Sequence, residues 1–298
     1  MDVSVGIPSY NEGYNLLRLL RQLAEQQLDG FKIIKVIVSD DSSDETPKLV
    51  EEFMEKEPPY QLILRHHDER RGVASAWNEI FRLAEGEALL LYDADINLKP
   101  YTSKKLLQPL LERNDIGIAA SNTVPLPTES IAGRASTIVA RWLRIMRLRY
   151  PECQLIVMGR GLAARMELVE NIEIPEQIMA VDLYLQGMAH KLGWKVVYVD
   201  DARVYFKPTE TIRDFASQTI RAYFSHRQLS ELVEREIPRR IGLREQFQGF
   251  LEALKPRDLP AVLVSYLLTL LYTPKLMPKA CKATWDIASS TKKHKEYF

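Results

Sequence analysis

The sequence predicts an α/β fold: a mostly parallel sheet flanked by helices, followed by a helical C-terminal extension. Short apolar runs alternate with amphipathic helical segments over residues 1–100. This alternation is typical of strand–helix–strand units with right-handed crossovers. Polar clusters follow three of these apolar runs, where ligands of such sheets bind. From residue 209 onward the pattern becomes almost entirely helical. The 298 residues suffice for one large α/β domain with an appendage.

The first hundred residues predict four strands joined by three helices. Leucines at helical spacing mark the first helix, and Pro58-Pro59 ends the second. The strands are expected at 3–7, 33–38, 61–64 and 87–92, and the helices over Leu16 to Leu23, through Val50 to about Lys56, and from about Val73 to Ala84.

The second half is less regular. Strands are expected at 115–121, 154–158, 195–199 and 203–206, and helices at 130–148 and 178–192. The expected units are a domain at 1–208 and an extension at 209–298. Within the domain, residues 1–100 and residues 101–208 are expected to form two halves.

Composition limits the class of protein. Forty Lys and Arg balance forty Asp and Glu, so nothing global indicates nucleic-acid binding. Cys153 and Cys281 form neither a metal spacing nor a disulfide framework, which favours a reducing compartment. The N-terminus has no basic leader and begins directly with a strand. A cytoplasmic protein, free or at the cytoplasmic face of a membrane, is expected.

The pair Asp93-Ala94-Asp95 follows the most apolar predicted strand. A hard divalent cation such as Mg²⁺ or Mn²⁺ takes one or two carboxylates together with substrate phosphates. A solvated turn after a strand is the alternative, and two aspartates alone do not decide between them. The position at the end of a central strand favours the metal.

Two further polar clusters are expected at the same sheet edge. Asp41 follows the second strand and is suited to accept hydrogen bonds from a base or a ribose, whereas Asp44 fits a helix cap. Tyr10 follows the first strand and is suited to stack on a base. Arg70 and Arg71 lie in a polar loop, where they are either phosphate partners or solvated charges.

These residues belong to four ordered motifs at 8–12, 36–46, 71–78 and 93–95. In order and spacing the four motifs resemble those of family 2 glycosyltransferases with the GT-A fold. One departure is Ser42-Ser43, where the family usually has Gly-Ser, and serine also tolerates the turn.

The resemblance implies a nucleoside-diphosphate-sugar donor, a divalent metal, Mn²⁺ or Mg²⁺, and inversion at the anomeric carbon. It assigns the metal to Asp95, and Asp93 is the second candidate ligand, which we expect to face the ribose or a shared water. On the same resemblance, residues 1–100 are the nucleotide-binding half and residues 101–208 the acceptor half. The nucleotide contacts that it implies are Pro8, Tyr10, Glu12, Asp41, Arg71 and Asp93.

An inverting transferase also needs a general base to deprotonate the acceptor. Residues 180–185 resemble the family's block before a helix in the second half, with Val181 in place of the usual Glu. Asp182 is therefore the candidate base, and an ordinary aspartate of a first helical turn is the alternative. The small-residue segment 159–165 resembles the acceptor-side lining. Gln218 to Arg221 resemble the Gln-x-x-Arg-Trp motif of processive members without its Trp, so Arg221 is expected to reach the diphosphate instead.

The extension contains an apolar run at 259–272, which is shorter than the roughly 20 residues that span a bilayer. Basic residues flank this run, including Lys282, Lys292, Lys293 and Lys295, and arginines of the helix 130–148 are a further candidate surface for lipid phosphate. Apolar helices with basic borders suit a membrane interface, and a core helix or a homodimer face is the alternative.

Three hypotheses follow. The first is a membrane-associated transferase with a lipid-linked acceptor carrying a hydroxyl or a phosphate. The second is a soluble transferase that acts on a glycan or a protein, with the extension closing a dimer. The third is a non-catalytic nucleotide-sugar-binding protein, which requires Asp95 or Asp182 to be misplaced.

Overall fold

The computed structural model describes residues 1–153, 156–157, 159–230, 233–280 and 289–292. Within these residues it contains one sheet in the order β3-β2-β1-β4-β7-β6-β8-β5. The strands are β1 (Asp2–Ser9), β2 (Lys32–Asp40), β3 (Gln61–His66), β4 (Ala88–Tyr92), β5 (Ile96–Leu98), β6 (Ile116–Pro125), β7 (Gly161–Arg165) and β8 (Lys195–Phe206). The helices are α1 (Gly13–Ala24), α2 (Thr46–Met54), α3 (Val73–Leu83), α4 (Thr102–Glu112), α5 (Ile131–Arg149), α6 (Met166–Val169), α7 (Val181–Lys191), α8 (Ile212–Ser230), α9 (Leu243–Ala253) and α10 (Leu259–Ala280).

The first half forms the predicted parallel unit. β1 pairs in parallel with β2 and with β4, and β2 pairs in parallel with β3. The predicted α/β fold is confirmed, and the polar clusters after β1, β2 and β4 lie at one edge of the sheet because parallel strands end together.

The sheet is buried on both faces, which explains the continuous apolar runs. All five residues of β4 are buried; Leu90 packs into the cluster on one face, while Leu89 and Leu91 pack into the cluster on the other. At Gly6 a Cβ atom would lie 2.3 Å from Cγ2 of Ile80, so α3 packs directly on the backbone of β1.

The second half differs from the prediction in three places. Of the predicted strand 154–158, residues 154, 155 and 158 lie outside the described residues, and 156–157 lie outside any strand. The strand forms instead at β7, antiparallel to β4 and β6. The predicted strands 195–199 and 203–206 are one strand, β8. The short strand β5 and the helix α4 had no sequence prediction.

Tertiary contacts explain β7, whose Gly-Leu-Ala-Ala-Arg sequence has low strand propensity. A Cβ atom at Gly161 would lie 2.9 Å from Ser121 Oγ and from Val204 Cγ2. Only small residues fit between β4 and β6 at this point, so packing overrides the local preference.

The extension packs on α5 through buried ion pairs. Asp258 is buried, and its carboxylate accepts hydrogen bonds from Arg141 at 3.0 Å and from Arg134 at 3.3 Å. Arg144 is paired with Asp200. The structure therefore places these arginines in internal contacts rather than on a free phosphate-binding face.

One face of α10 remains exposed and apolar. Its side chains are those of Leu259, Leu263, Leu267, Leu270 and Leu271. Among the described residues no helix has both the length and the apolar character needed to cross a bilayer. Of the predicted basic flank, Lys282, Lys293 and Lys295 lie outside the described residues. The domain boundary at 208 stays a prediction.

Candidate active site

A cavity of about 230 Å³ opens beyond the carboxyl ends of β1, β2 and β4. Loops after these strands form one wall, and residues of α8 and of the segment 289–292 form another. The cavity is lined by Pro8, Ser9, Tyr10, Glu12, Asp41, Arg70, Gly72, Val73, Ala76, Asp93, Ala94, Asp95, Arg160, Gln218, Arg221, Thr291 and Lys292. This is the position at which ligands of open α/β sheets bind.

Hydrogen bonds join the loop after β1 to the loop after β2. Asn11 has a left-handed backbone conformation with φ of 52°. Its N–H donates to Ser42 Oγ at 2.7 Å, and its Oδ1 accepts from the N–H of Ser43 at 2.8 Å. The Ser42 hydroxyl in turn donates to Asp40 Oδ1 at 2.5 Å. The serine that stands where glycine is usual therefore holds two loops of the site together.

Asp41 holds the loop before α3 against the cavity. Its buried Oδ2 accepts hydrogen bonds from the backbone N–H groups of Arg71 at 2.7 Å and Gly72 at 3.2 Å. The guanidinium of Arg71 contacts Asp41 Oδ1 at 3.3 Å and Glu79 Oε2 at 3.0 Å. Arg71 thus lies behind Asp41, and its neighbour Arg70 lines the cavity.

Tyr10 and Glu12 form the rim after β1. The guanidinium carbon of Arg70 lies 4.2 Å from the centre of the Tyr10 ring, which is cation–π geometry. Burial first, and the charge of Asp95 second, raise the pKa of Glu12 to about 7, against the opposing effect of Lys292. Glu12 and Asp95 therefore belong to one group of mutually repelling carboxylates.

Asp93 and Asp95 project from the turn after β4. Arg160 Nη1 lies 3.3 Å from Asp95 Oδ1, and its guanidinium carbon lies 4.1 Å from the centre of the Phe206 ring. Burial raises the pKa of Asp93 to about 7; the Arg160 charge lowers this pKa, while the charges of Asp95, Asp182 and Glu12 raise it. The site therefore brings several carboxylates together at positions that water solvates poorly.

This donor set fits a hard divalent cation shared with a ligand. The described residues contain no group of three His, Cys, Asp or Glu side chains that could hold a metal ion by themselves. Mg²⁺ and Mn²⁺ commonly take one or two carboxylates and complete their coordination with substrate phosphates and water. Asp93 and Asp95 supply such oxygens, and a cation relieves the repulsion that raises the pKa of Asp93.

Two arginines, Arg160 and Arg221, line the cavity, and Asp182 lies near them. Arg221 of α8 is half-buried in the wall, and desolvation together with the nearby Arg160 charge lowers its pKa to about 10. Asp182 lies in the first turn of α7, where its Oδ2 accepts a hydrogen bond from the N–H of Gly159 at 2.9 Å. Asp182 is outside the cavity lining, yet its charge acts on both Asp93 and Arg221.

The structure brings most predicted site residues together. Those that line the cavity are Pro8, Tyr10, Glu12, Asp41, Asp93 and Asp95. Arg71 and Asp182 lie one layer behind the lining, and the roles assigned to all these residues stay predictions. Lys292, which the sequence analysis had not placed in the site, also lines the cavity. No local pattern marks Lys292, because only tertiary contact brings it to the site.

Comparison with known proteins gives the same family as the motifs. The family model "Glycosyl transferase family 2" matches residues 4–170. A dolichol-phosphate mannosyltransferase of Pyrococcus furiosus is 30% identical over 176 residues, which cover 58% of this chain and 49% of that protein. A dolichyl-phosphate beta-glucosyltransferase of Dictyostelium discoideum is 27% identical over 66% of this chain and 64% of that protein. This chain thus spans about half the length of the first relative.

Solved structures share the fold. A mannosyltransferase from Pyrobaculum calidifontis, solved in complex with GDP-Man and Mn²⁺, aligns with a TM-score of 0.60 at 21% identity. The alignment covers 90% of this chain and 75% of that chain. The similarity therefore includes most of the extension as well as the sheet.

Proposed function

The chain belongs to glycosyl transferase family 2, and on that premise we propose that it moves a sugar from a nucleoside-diphosphate sugar to a lipid-linked acceptor. It is a glycosyltransferase with the GT-A fold. We propose further that transfer inverts the anomeric carbon and requires Mn²⁺ or Mg²⁺. The observation that carries the proposal is the convergence of Tyr10, Glu12, Asp41 and the Asp93–Asp95 turn on one cavity.

The proposed donor subsite follows the strand ends. Tyr10 and Asp41 are suited to the nucleoside, one by its ring and the other by its carboxylate, and Asp93 is suited to the ribose. Asp95 is the proposed metal ligand. When bound, the cation neutralises the charge that develops on the leaving diphosphate. Arg221 is placed to stabilise the same charge through its guanidinium.

Asp182 is the proposed general base. The N–H of Gly159 holds its Oδ2, which leaves Oδ1 to accept the proton of an acceptor hydroxyl. With an ionised phosphate as acceptor there is little proton to remove, so Asp182 would chiefly orient the acceptor. The pH dependence of transfer separates these two roles.

Three observations support an anionic, lipid-linked acceptor. Two relatives carry names that specify dolichol or dolichyl phosphate. Arg160, in the segment that resembles the acceptor-side lining, also lines the cavity and is suited to neutralise an acceptor phosphate. The leucine face of α10 is exposed and is suited to the surface of a membrane that contains such a lipid.

The proposal is tested by incubating the full chain with Mn²⁺, a panel of UDP- and GDP-sugars, and a polyprenyl phosphate in detergent. Mass spectrometry is expected to find a glycosylated polyprenyl phosphate with one donor class, and about 100-fold less of it with the Asp95→Asn variant. If sugar passes only to soluble glycans or proteins, the lipid-linked acceptor is wrong. If no donor is consumed or bound, the nucleotide-sugar assignment is wrong.

A further inference from the structure

The segment 289–292, here called the strap, is anchored to the start of α8. Ser290 is buried, and its hydroxyl donates a hydrogen bond of 2.5 Å to Asp214 Oδ2. The Ser290 N–H donates to the same oxygen at 3.1 Å, and the Glu210 N–H donates to Ser290 Oγ at 3.1 Å. Three hydrogen bonds thus fix the strap beside the helix that also presents Gln218 and Arg221 to the cavity.

The other end of the strap reaches the loop after β1. Lys292 Nζ donates to the backbone carbonyl of Tyr10, to the carbonyl of Asn11 at 3.2 Å and to Glu12 Oε1 at 2.7 Å. Its side chain is only 16% exposed, and its ammonium lies 5.7 Å from the centre of the Tyr10 ring. The strap therefore joins two walls of the cavity that are far apart in sequence.

The strap is a wall of the cavity and does not fill it. Thr291 and Lys292 belong to the lining, yet about 230 Å³ remains open beside them. The same lining carries the carboxylates of Glu12, Asp93 and Asp95, which repel an anionic ligand. An ammonium group held at this rim offsets that repulsion where a nucleoside diphosphate would enter.

We propose that Lys292 is a donor-binding residue. It forms one wall of the nucleotide subsite and supplies positive charge to the anionic part of the donor. This inference rests on the proposed function, because it takes the ligand to be a nucleoside diphosphate. Lys292 lies beyond the matched residues 4–170, so family membership does not assign it this role.

The test is calorimetric titration of the full chain with UDP and with GDP, each with Mn²⁺. Lys292→Met is expected to weaken binding of the preferred nucleotide by about tenfold, because it removes one unit of positive charge from beside the phosphates in a partly solvated site. Lys292→Arg keeps the charge and is expected to stay within about threefold of the wild type. Ser290→Ala releases the strap without removing charge and is expected to weaken binding to an intermediate degree.

Lys48→Met is the matched control, because this lysine of α2 is 78% exposed and lies outside the cavity lining. Melting curves of all variants check that each is folded. If Lys292→Met binds the nucleotide as tightly as the wild type, this inference is wrong and the proposed function is unaffected. The same holds if Lys292→Met binds more tightly, because the strap would then obstruct the nucleotide site. If the wild type binds neither nucleotide, the proposed function and this inference are both wrong.

Discussion

Arg160 Nη1 lies 3.3 Å from Asp95 Oδ1, so the carboxylate proposed to bind the metal is already paired with a guanidinium. The same arginine lies against the ring of Phe206, which fixes its position. Asp95 would hold a cation through the same carboxylate that pairs with Arg160, and the cation would supply positive charge beside the guanidinium. The informative substitution at Asp95 therefore removes the charge of the side chain and keeps its shape.

Asp95→Asn is expected to lower metal-dependent transfer by about 100-fold or more, because it removes a charged oxygen ligand and leaves a near-isosteric amide. Mn²⁺ binding in the presence of nucleotide, followed by electron paramagnetic resonance, is expected to weaken in parallel. Asp115→Asn is the control, since Asp115 is exposed and forms its ion pairs with the described residues Arg113 and Lys195, away from the cavity lining. Full activity of Asp95→Asn would remove the metal assignment.

Asp182→Asn is expected to lower kcat by about 10²- to 10⁴-fold with a hydroxyl acceptor, the usual contribution of a general base. The amide oxygen can still accept the Gly159 hydrogen bond, so the fold and the nucleotide Kd should remain close to those of the wild type. Steady-state kinetics with a parallel nucleotide titration measure both. A variant that loses nucleotide binding but keeps its kcat would show that Asp182 is structural.

Asp200→Asn is expected to lower the free energy of unfolding at neutral pH and to have a smaller effect in acid. Arg144 donates two hydrogen bonds of 2.6 Å to the Asp200 carboxylate, and these hold its pKa below the usual value. A lowered folded pKa contributes stability that is present above the unfolded pKa of about 3.9 and is lost as the pH falls through the folded pKa. Because Arg144 is half exposed, the contribution at pH 7 is about 1 kcal/mol.

Urea unfolding of wild type and Asp200→Asn at pH 7, 5 and 3 measures this contribution. The difference between the two proteins should be similar at pH 7 and 5 and should shrink at pH 3. A difference that is the same at all three values would mean that Asp200 contributes through packing or neutral hydrogen bonds, such as that from Asn122, rather than through its charge.

Local pattern was enough to predict the parallel half and the residues that line the donor side. β1, β2 and β4 are buried on both faces, so their apolar runs are continuous, and each ends at a polar residue that reaches the cavity. Asp41 and Asp93 could be found in this way because their places follow from strand ends alone. The resemblance of the four motifs then indicated a nucleotide sugar as the donor.

Long-range packing decided what the sequence did not reveal. β7 contains Gly161, Ala163 and Ala164, which have low strand propensity, and it forms a strand because β4 and β6 enclose it. Lys292 reaches Glu12 across 280 residues, and no periodicity encodes such a contact. The arginines of α5 looked like a free basic face in sequence, whereas Asp258 and Asp200 neutralise them in the fold.

The exposed leucine face of α10 is expected to bind membranes. Leu263 and Leu267 are 60% and 64% exposed, and burial of one leucine is worth about 1.5–3 kcal/mol. Leu263→Gln with Leu267→Gln should therefore lower flotation with anionic liposomes by well over tenfold. The control pair Leu111→Gln with Leu192→Gln, at exposed leucines in α4 and directly after α7, should not. Wild type that fails to float contradicts the prediction. If light scattering then shows a wild-type dimer that the α10 pair dissociates, the face is a subunit interface.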